Sequence, residues 1–221
     1  MKLFFDSFKN LVGRNPFQFT LLFCGVLLPF LIFGKLAVEI RQGEAFSWDE
    51  SVLKAVHLHA TAQRDAMVAR ASIAGTALTL PFLVAVIFGL RFLKQARNAA
   101  FFTLAVFGAY ALNLLAKAFF QRPRPALWLS VAPEKNYSFP SGHAMVSAAV
   151  ALAFIALAWP TRWRWPVFIV AILSTLIIGF SRLYLGVHYP SDVIGGWCGA
   201  LLWVCGLLLI LKRADSPAIT H

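Results

Sequence analysis

The chain has 221 residues, of which 60% are hydrophobic and only 13% are charged. This balance excludes an ordinary soluble domain, in which about a quarter of the residues carry charge. The formal net charge of +11 does not indicate a nucleic-acid partner, because the basic residues form no single stripe with aromatic residues between them. The composition therefore predicts a membrane protein.

Six apolar runs follow one another along the chain, each of about 20 residues, the length that crosses a bilayer as a helix. Their uniform hydrophobicity excludes barrel strands, in which polar and apolar residues alternate. The predicted fold class is all-α, an integral membrane bundle of six transmembrane helices, and residues 1–221 are predicted to form one domain. The predicted spans lie near residues 17–38, 71–90, 99–120, 143–160, 165–182 and 191–211.

Basic residues cluster in alternate connecting segments: before the first span, between the second and third, between the fourth and fifth, and after the sixth. They are Lys2, Lys9, Arg14, Arg91, Lys94, Arg97, Arg162, Arg164, Lys212 and Arg213. The segment between the first two spans has no comparable excess. By the positive-inside rule, both termini are predicted to be cytoplasmic, and the loops after spans one, three and five to face outward.

Two shorter segments are predicted to lie in the membrane interface. Residues 1–16 place apolar side chains on one helix face and lysines on the other, and the first span after them is predicted to be a retained helix because no small-residue cleavage site follows it. In the segment 39–70, Ser47-Trp48-Asp49-Glu50 is typical of a helix start. His57 and His59 do not share a helix face, so we predict an exposed polar face there and no metal site.

Small residues occur in the second span as Ala74-Gly75-Thr76-Ala77 and in the sixth as Gly195 and Gly199. Both patterns predict close helix packing. An odd number of cysteines inside apolar spans argues against a disulfide framework and favours a packing role for each thiol. The three cysteines are Cys24, Cys198 and Cys205.

The third span ends in a basic segment that contains two Arg-Pro pairs. Lys117 lies near the end of the span, and Arg122-Pro123-Arg124-Pro125 follows it. Because prolines end a helix and stiffen the turn after it, Lys117 and Arg124 are predicted to reach one site at the outer face. The alternative is that these basic side chains only extend toward lipid phosphates at the membrane surface.

A second polar cluster, Phe139-Pro140-Ser141-Gly142-His143, stands immediately before the fourth span. A serine before a helix is a typical N-cap, and a glycine lets an anion approach the N–H groups that a helix start leaves unpaired. The segment predicts a phosphate cradle with His143 in the first helical turn. An ordinary turn and helix cap is the alternative.

The third cluster lies between the fifth and sixth spans, where Arg182, His188 and Asp192 interrupt apolar sequence. Because His188 and Asp192 are four residues apart, one helical turn would bring the carboxylate to the imidazole. An aspartate that holds one ring nitrogen leaves the other free as a nucleophile or base. The alternative is a histidine at a loop corner beside an arginine that reaches the interface.

The predicted topology places all three clusters at the same outer face, where together they suit phosphoryl transfer. Cations would neutralise the phosphoryl oxygens, one histidine would attack phosphorus, and the other would protonate the leaving oxygen. No cluster of carboxylates is available to hold Mg²⁺. The sequence therefore predicts transfer through a phosphohistidine with no metal and no cofactor.

In order and spacing, the three clusters resemble the tripartite signature of the type 2 phosphatidic acid phosphatase (PAP2) superfamily, which here covers residues 117–192. The resemblance implies a six-helix membrane phosphatase whose core bundle is shared with soluble acid phosphatases and vanadium haloperoxidases. It implies that His188 is the nucleophile, Asp192 orients it and His143 is the general acid. The phosphoryl-binding residues that it implies are Lys117, Arg124, Ser141, Gly142 and Arg182. Arg122 lies outside the signature, and its role is open.

These features predict a lipid phosphatase at the outer face of a bacterial plasma membrane, with a lipid phosphate or pyrophosphate as substrate and membrane lipids as surroundings. Undecaprenyl pyrophosphate is the first choice, because small bacterial members of the family commonly recycle that carrier. Phosphatidylglycerophosphate, phosphatidic acid, a lipid A phosphate and phosphotransfer to another lipid are alternatives. A non-catalytic lipid-phosphate binding or transport protein is a rival of another class, but it would need neither histidine. A haloperoxidase is disfavoured because those enzymes are soluble.

Overall fold

The computed structural model describes residues 16–43 and 46–214, and in these residues it contains helices and no strand. The all-α prediction is confirmed. The interfacial helix predicted over residues 1–16 lies outside the described residues, except for Pro16. In chain order the helices are α1 (Pro16–Leu22, a π-helical turn Phe23–Leu27, and Leu28–Arg41), α2 (Ser47–His57), α3 (Ala62–Phe92), α4 (Ala96–Phe120), α5 (Gly142–Ala158), α6 (Arg164–Tyr184) and α7 (Pro190–Ala214).

Five of these helices are long and apolar enough to cross a membrane: Phe19–Arg41, Ala62–Phe92, Ala96–Phe120, Arg164–Tyr184 and Pro190–Leu211. The remaining predicted span, the fourth in the chain, is the shorter apolar helix α5, which packs against α4, α6 and α7. One face of α5 is built almost entirely of buried alanines, and these let its neighbours approach closely. The chain is a multi-pass membrane protein whose shortest predicted span lies at the centre of the bundle.

The core is formed by small and aromatic side chains where α4, α5 and α7 meet. Phe102 and Val106 of α4, Ala149 of α5 and Val204 of α7 are almost fully buried there. By contrast, α3 and α6 turn many large apolar side chains outward. Such exposed apolar faces are what a helix presents to lipid tails, which agrees with the predicted lipid surroundings.

The short helix predicted between the first two spans is confirmed as α2, and its place in the membrane interface stays a prediction. The second span, however, begins at Ala62 and not near residue 71. Thr61 caps its start by accepting a hydrogen bond from the Arg64 N–H at 3.3 Å. The polar first turns consist mainly of residues that favour a helix. With 31 residues, α3 is about 46 Å long against a hydrocarbon core of about 30 Å, so its first turns extend beyond the apolar region.

Two of the packing predictions are wrong, and both for the same physical reason. A Cβ atom on Gly75 would have no neighbour within 4 Å, and Cys24 is an exposed cysteine on α1. Each lies on a helix face that no other helix covers. The predictions hold for Gly199, where a Cβ atom would lie 3.1 Å from Met145 Cε, and for Cys198 and Cys205, which are buried free thiols.

The segments that follow α1, α4 and α6 meet at one end of the bundle. Helix α4 ends where Gln121 takes the left-handed conformation (φ 49°), and Pro123 follows shortly after it. The Trp128 ring of the next segment lies against Gly186, whose φ of +65° favours glycine, and stacks on the exposed His57 ring at 3.9 Å between centroids. The loops predicted to share the outer face therefore do lie together.

Candidate active site

The structure brings all eight predicted site residues together at this end of the bundle. They come from six parts of the chain: the end of α4 (one residue), the segment 121–141 (two residues), the start of α5 (two residues), the end of α6 (one residue), the 185–189 loop (one residue) and the start of α7 (one residue). In that order they are Lys117, Arg124, Ser141, Gly142, His143, Arg182, His188 and Asp192. Residues far apart in the sequence therefore form one polar site at the ends of apolar helices.

His188 is fully buried, and its two ring nitrogens have different surroundings. Nδ1 lies 3.5 Å from Asp192 Oδ2, and Nε2 lies 3.1 Å from Arg124 Nη1. Because a guanidinium group only donates hydrogen bonds, the second contact requires an unprotonated Nε2. In the neutral ring the proton is then on Nδ1, facing the aspartate, and Nε2 presents a lone pair to the site.

The Asp192 carboxylate is fully buried and accepts several hydrogen bonds that fix its orientation. Oδ2 accepts from the Tyr189 N–H at 2.8 Å and from the Ser138 hydroxyl. Oδ1 accepts from Arg122 Nη1 at 2.5 Å. A buried carboxylate with this many donors is held in one position, so it can hold the His188 ring in turn.

Arg122, whose role the sequence left open, is part of this network. Its Nη2 donates to Asp49 Oδ2 at 2.9 Å, and its Nη1 also donates to Ser191 Oγ at 2.8 Å. Asp49 is 2% exposed, and its Oδ1 accepts from the Ser191 N–H at 2.9 Å. Burial alone would lower the pKa of Arg122, but the neighbouring Asp192 and Asp49 carboxylates outweigh it and raise that pKa. Helix α2 is thereby tied to the start of α7.

Three basic side chains surround the open side of the two histidines, and each is held by neighbouring oxygen atoms. Lys117 Nζ donates to the Tyr137 carbonyl at 2.6 Å, and Arg124 Nη1 donates to the Val187 carbonyl at 2.6 Å. Arg182 Nη2 donates to Ser181 Oγ at 3.0 Å. Arg124 also directs its Nη2 at the Glu134 carboxylate at 2.6 Å, and Arg182 Nη1 lies 3.6 Å from the same carboxylate, so the cluster is prepared to bind an anion.

Glu134, which the sequence analysis did not identify, places its carboxylate where these groups converge. The carboxylate is 2.6 Å from Arg124 Nη2, 3.6 Å from Arg182 Nη1, 3.5 Å from His143 Nδ1 and 3.8 Å from His188 Nε2. Burial alone would raise the pKa of the Glu134 carboxyl, but the surrounding basic groups outweigh it, so that pKa is lowered. The site already holds one anion, at the position that lies between both histidines.

The start of α5 differs in one respect from the predicted serine cap. Ser141 occupies the N-cap position, but its side chain caps nothing, and its buried Oγ has no hydrogen-bond partner among the described residues. Its N–H donates instead to the Asp192 carbonyl at 3.0 Å. The first bond of α5 runs from the Met145 N–H to the Ser141 carbonyl, which leaves the N–H groups of Gly142 and His143 without an intrahelical acceptor. Hydroxyl and amides are therefore available to an anion.

A large cavity connects this polar cluster to the apolar interior of the bundle. It has a volume of about 1270 Å³ and is lined by α3, α4, α5 and α6. Lys117, His143 and Arg182 lie at its polar end, and Phe82 and Phe154 lie deeper. Other lining residues are exposed on the outer surface of the bundle, among them Met67, Leu80 and Ile177. The cavity is thus open to the surface that faces lipid.

Comparison with known proteins agrees with this geometry. Residues 98–215 match the PAP2 superfamily. The chain is 32% identical to phosphatidylglycerophosphatase B of Bacillus subtilis over 85% of its own length and 93% of that protein. It is 27% identical to an undecaprenyl-diphosphatase of Sulfolobus acidocaldarius over 56% of its own length and 48% of that protein. The crystal structure of the PAP2-type phosphatidylglycerolphosphate phosphatase from Bacillus subtilis superposes with a TM-score of 0.75 at 27% identity, covering 87% of this chain and 98% of that one. The chain belongs to the PAP2 superfamily, and it is a phosphatase.

Proposed function

We propose that this phosphatase removes the terminal phosphate from a membrane lipid and that a phosphohistidine forms on His188. The observation that carries the proposal is the position of the Glu134 carboxylate, on which two arginines and two histidines converge. A phosphoryl group that displaced this carboxylate would be bound by the same cations. The cavity beside it supplies an apolar path for the lipid tail.

In the first step, the lone pair on His188 Nε2 attacks phosphorus as the bond from phosphorus to the leaving oxygen breaks. Asp192 stabilises the positive charge that develops on the ring, and His143 gives a proton to the leaving oxygen. Lys117, Arg124 and Arg182, together with the Ser141 hydroxyl and the free amides of α5, stabilise the charge on the other phosphoryl oxygens.

In the second step, water attacks the phosphohistidine and the nitrogen–phosphorus bond breaks. His143, which lost its proton in the first step, now accepts a proton from that water, so both histidines return to their starting states. Inorganic phosphate leaves, and the Glu134 carboxylate takes its place again among the cations. In these two reaction steps, a side chain of the protein gives or accepts the proton in every proton transfer.

For the lipid, the comparisons favour phosphatidylglycerophosphate. The relative that this chain matches over nearly its whole length, and the crystal structure that superposes on it, are both named for that activity. The sequence analysis favoured undecaprenyl pyrophosphate, which is the second candidate because a relative named for it matches 56% of this chain. The residues around the anion position would contact a phosphoryl group and not a lipid tail, so both candidates fit the polar site.

We expect the purified protein, assayed in detergent with excess EDTA, to release phosphate from lipid phosphates much faster than from glycerol 3-phosphate. Phosphatidylglycerophosphate should give a higher kcat/KM than undecaprenyl pyrophosphate, phosphatidic acid or a lipid A phosphate. A preference for undecaprenyl pyrophosphate would reverse the choice of substrate. Activity that disappears in EDTA and returns with Mg²⁺ would contradict the metal-independent mechanism.

We also propose that both termini are cytoplasmic and that the site faces outward from a bacterial plasma membrane, as the basic loops predict. In a variant without Cys24, Cys198 and Cys205, single cysteines can replace Gln95, between α3 and α4, and Leu129, which is 98% exposed at the site end. In intact cells, an impermeant thiol reagent should label the cysteine at 129 and leave the one at 95 unlabelled. The opposite pattern would invert the orientation.

A further inference from the structure

The hydroxyl group of Thr76 contacts the histidine that we propose as general acid. Thr76 lies on α3, outside the PAP2 signature, within the small-residue run that the sequence analysis assigned to helix packing. Its Oγ1 is 3.1 Å from His143 Nε2. The neighbouring Gly75 packs against nothing, so helix packing does not account for this run. For Thr76 itself, the structure shows a polar contact with the active site.

The hydrogen bonds of Thr76 determine which atom of His143 carries a proton. Thr76 Oγ1 donates to the Ser72 carbonyl at 2.9 Å. A hydroxyl group has a single proton, so the same oxygen can only accept from His143, and Nε2 must carry a hydrogen. The other ring nitrogen, Nδ1, lies 3.5 Å from the Glu134 carboxylate at the anion position. Nδ1 therefore faces the place where the leaving oxygen would be.

We infer that Thr76 is a positioning residue for general acid catalysis, an inference that rests on the function proposed above. The protonated ring would carry hydrogens on both nitrogens. As the bond from phosphorus to oxygen breaks, the Nδ1 proton moves to the leaving oxygen, and the Nε2 hydrogen stays on the ring, where Thr76 Oγ1 accepts its hydrogen bond. The ring ends neutral, in the tautomer that the hydroxyl group holds.

Thr76 matters most when substrate is bound. Among the described residues, the polar contacts of the His143 ring are Thr76 and Glu134. Once a phosphoryl group displaces Glu134, the hydroxyl is the protein contact that keeps the ring from turning over. A turned ring would present carbon Cδ2 to the leaving oxygen in place of Nδ1 and could not donate a proton.

Thr79 provides a matched control on the same helix. It is also a threonine that lines the cavity, and its Oγ1 donates to the Gly75 carbonyl at 2.7 Å. The described structure gives it no contact with His143. Replacement of either threonine with valine keeps the side-chain shape and removes the hydroxyl group, so the two variants differ in the contact with the general acid.

The test compares a lipid phosphate, whose leaving oxygen needs a proton, with an activated aryl phosphate, whose leaving oxygen does not. We expect Thr76→Val to lower kcat on the lipid phosphate about tenfold, the scale of one hydrogen bond, and to change the aryl phosphate rate less than about twofold. Thr76→Ser should restore most of the loss. Thr79→Val should show no loss that is selective for the lipid phosphate.

Several results would overturn the inference. The inference fails if Thr76→Val equals the wild type on the lipid phosphate, if it slows both substrates equally, or if Thr76→Ser does not restore the rate. Thr79→Val with the same loss on the lipid phosphate alone would assign the effect to cavity polarity. The aryl phosphate rate also reports correct folding of each variant. A wild-type protein inactive on every lipid phosphate would instead refute the proposed function, so the two failures are distinguishable.

Discussion

Replacement of His188 with alanine is expected to abolish lipid phosphate turnover, with a loss of at least about 10⁴-fold. The side chain is fully buried, and its unprotonated Nε2 faces the anion position, so the substitution removes the nucleophile itself. The adjacent Arg124 cannot replace it, because a guanidinium group only donates hydrogen bonds. Covalent labelling by phosphorylated substrate should disappear together with turnover.

The matched control is His59→Ala. His59 is an exposed histidine at the same end of the protein, and the described structure gives its ring no contact with the site. It should keep wild-type activity. The non-catalytic rival is correct if the wild-type protein shows no turnover and the His188→Ala variant still binds or transports the lipid phosphate. Residual turnover within about tenfold of the wild type would exclude His188 as the nucleophile.

Replacement of His143 with alanine is expected to have an effect that depends on the leaving group. Loss of a general acid typically costs about 10²–10⁴-fold, and this cost is smallest when the leaving oxygen is already stable as an anion. The His143→Ala variant should therefore lose most activity on the lipid phosphate and keep covalent labelling by an activated aryl phosphate. Labelling and single-turnover release of the aryl alcohol measure the first step directly.

The distinction between the two histidines rests on Asp192, which lies beside His188 and not beside His143. Glu134 approaches both rings and so does not distinguish them. If His143→Ala were inactive on both substrates while His188→Ala still became labelled, the roles would be exchanged. If His143→Ala lost the same activity on both substrates and neither variant were labelled normally, His143 would have no role as general acid.

The sequence predicts the fold and the signature residues well, because both depend on short-range patterns. Apolar runs of membrane length predict the six spans. Basic residues in alternate loops predict which loops share one end of the bundle, and the polar clusters meet at that end. The spacing of His188 and Asp192 correctly predicts that they lie together, although His188 lies in the 185–189 loop and only Asp192 is in α7. These signals need no knowledge of how the helices pack against one another.

The contacts that the sequence does not predict are long-range and involve residues without a helical pattern. Asp49 and Arg122 pair across 73 positions of the chain, and the repeated Arg-Pro was the only local sign that Arg122 had a separate role. Glu134 lies in an irregular segment, where no periodicity shows which way a carboxylate points. Thr76 sits in an apolar span and has the small size typical of packing residues, so its hydroxyl group became informative only beside His143.

The phosphohistidine on His188 can be tested directly by locating the phosphoryl group after a single turnover. Protein mixed with ³²P-labelled lipid phosphate would be quenched in alkali, which preserves phosphohistidine, and digested with trypsin. Arg162, Arg164 and Arg182 lie between the two histidines, so His143 and His188 fall in different peptides. We predict that the label is found on the peptide that contains His188. Label on the His143 peptide, or stoichiometric phosphate release with no labelled peptide at any time, would contradict the mechanism.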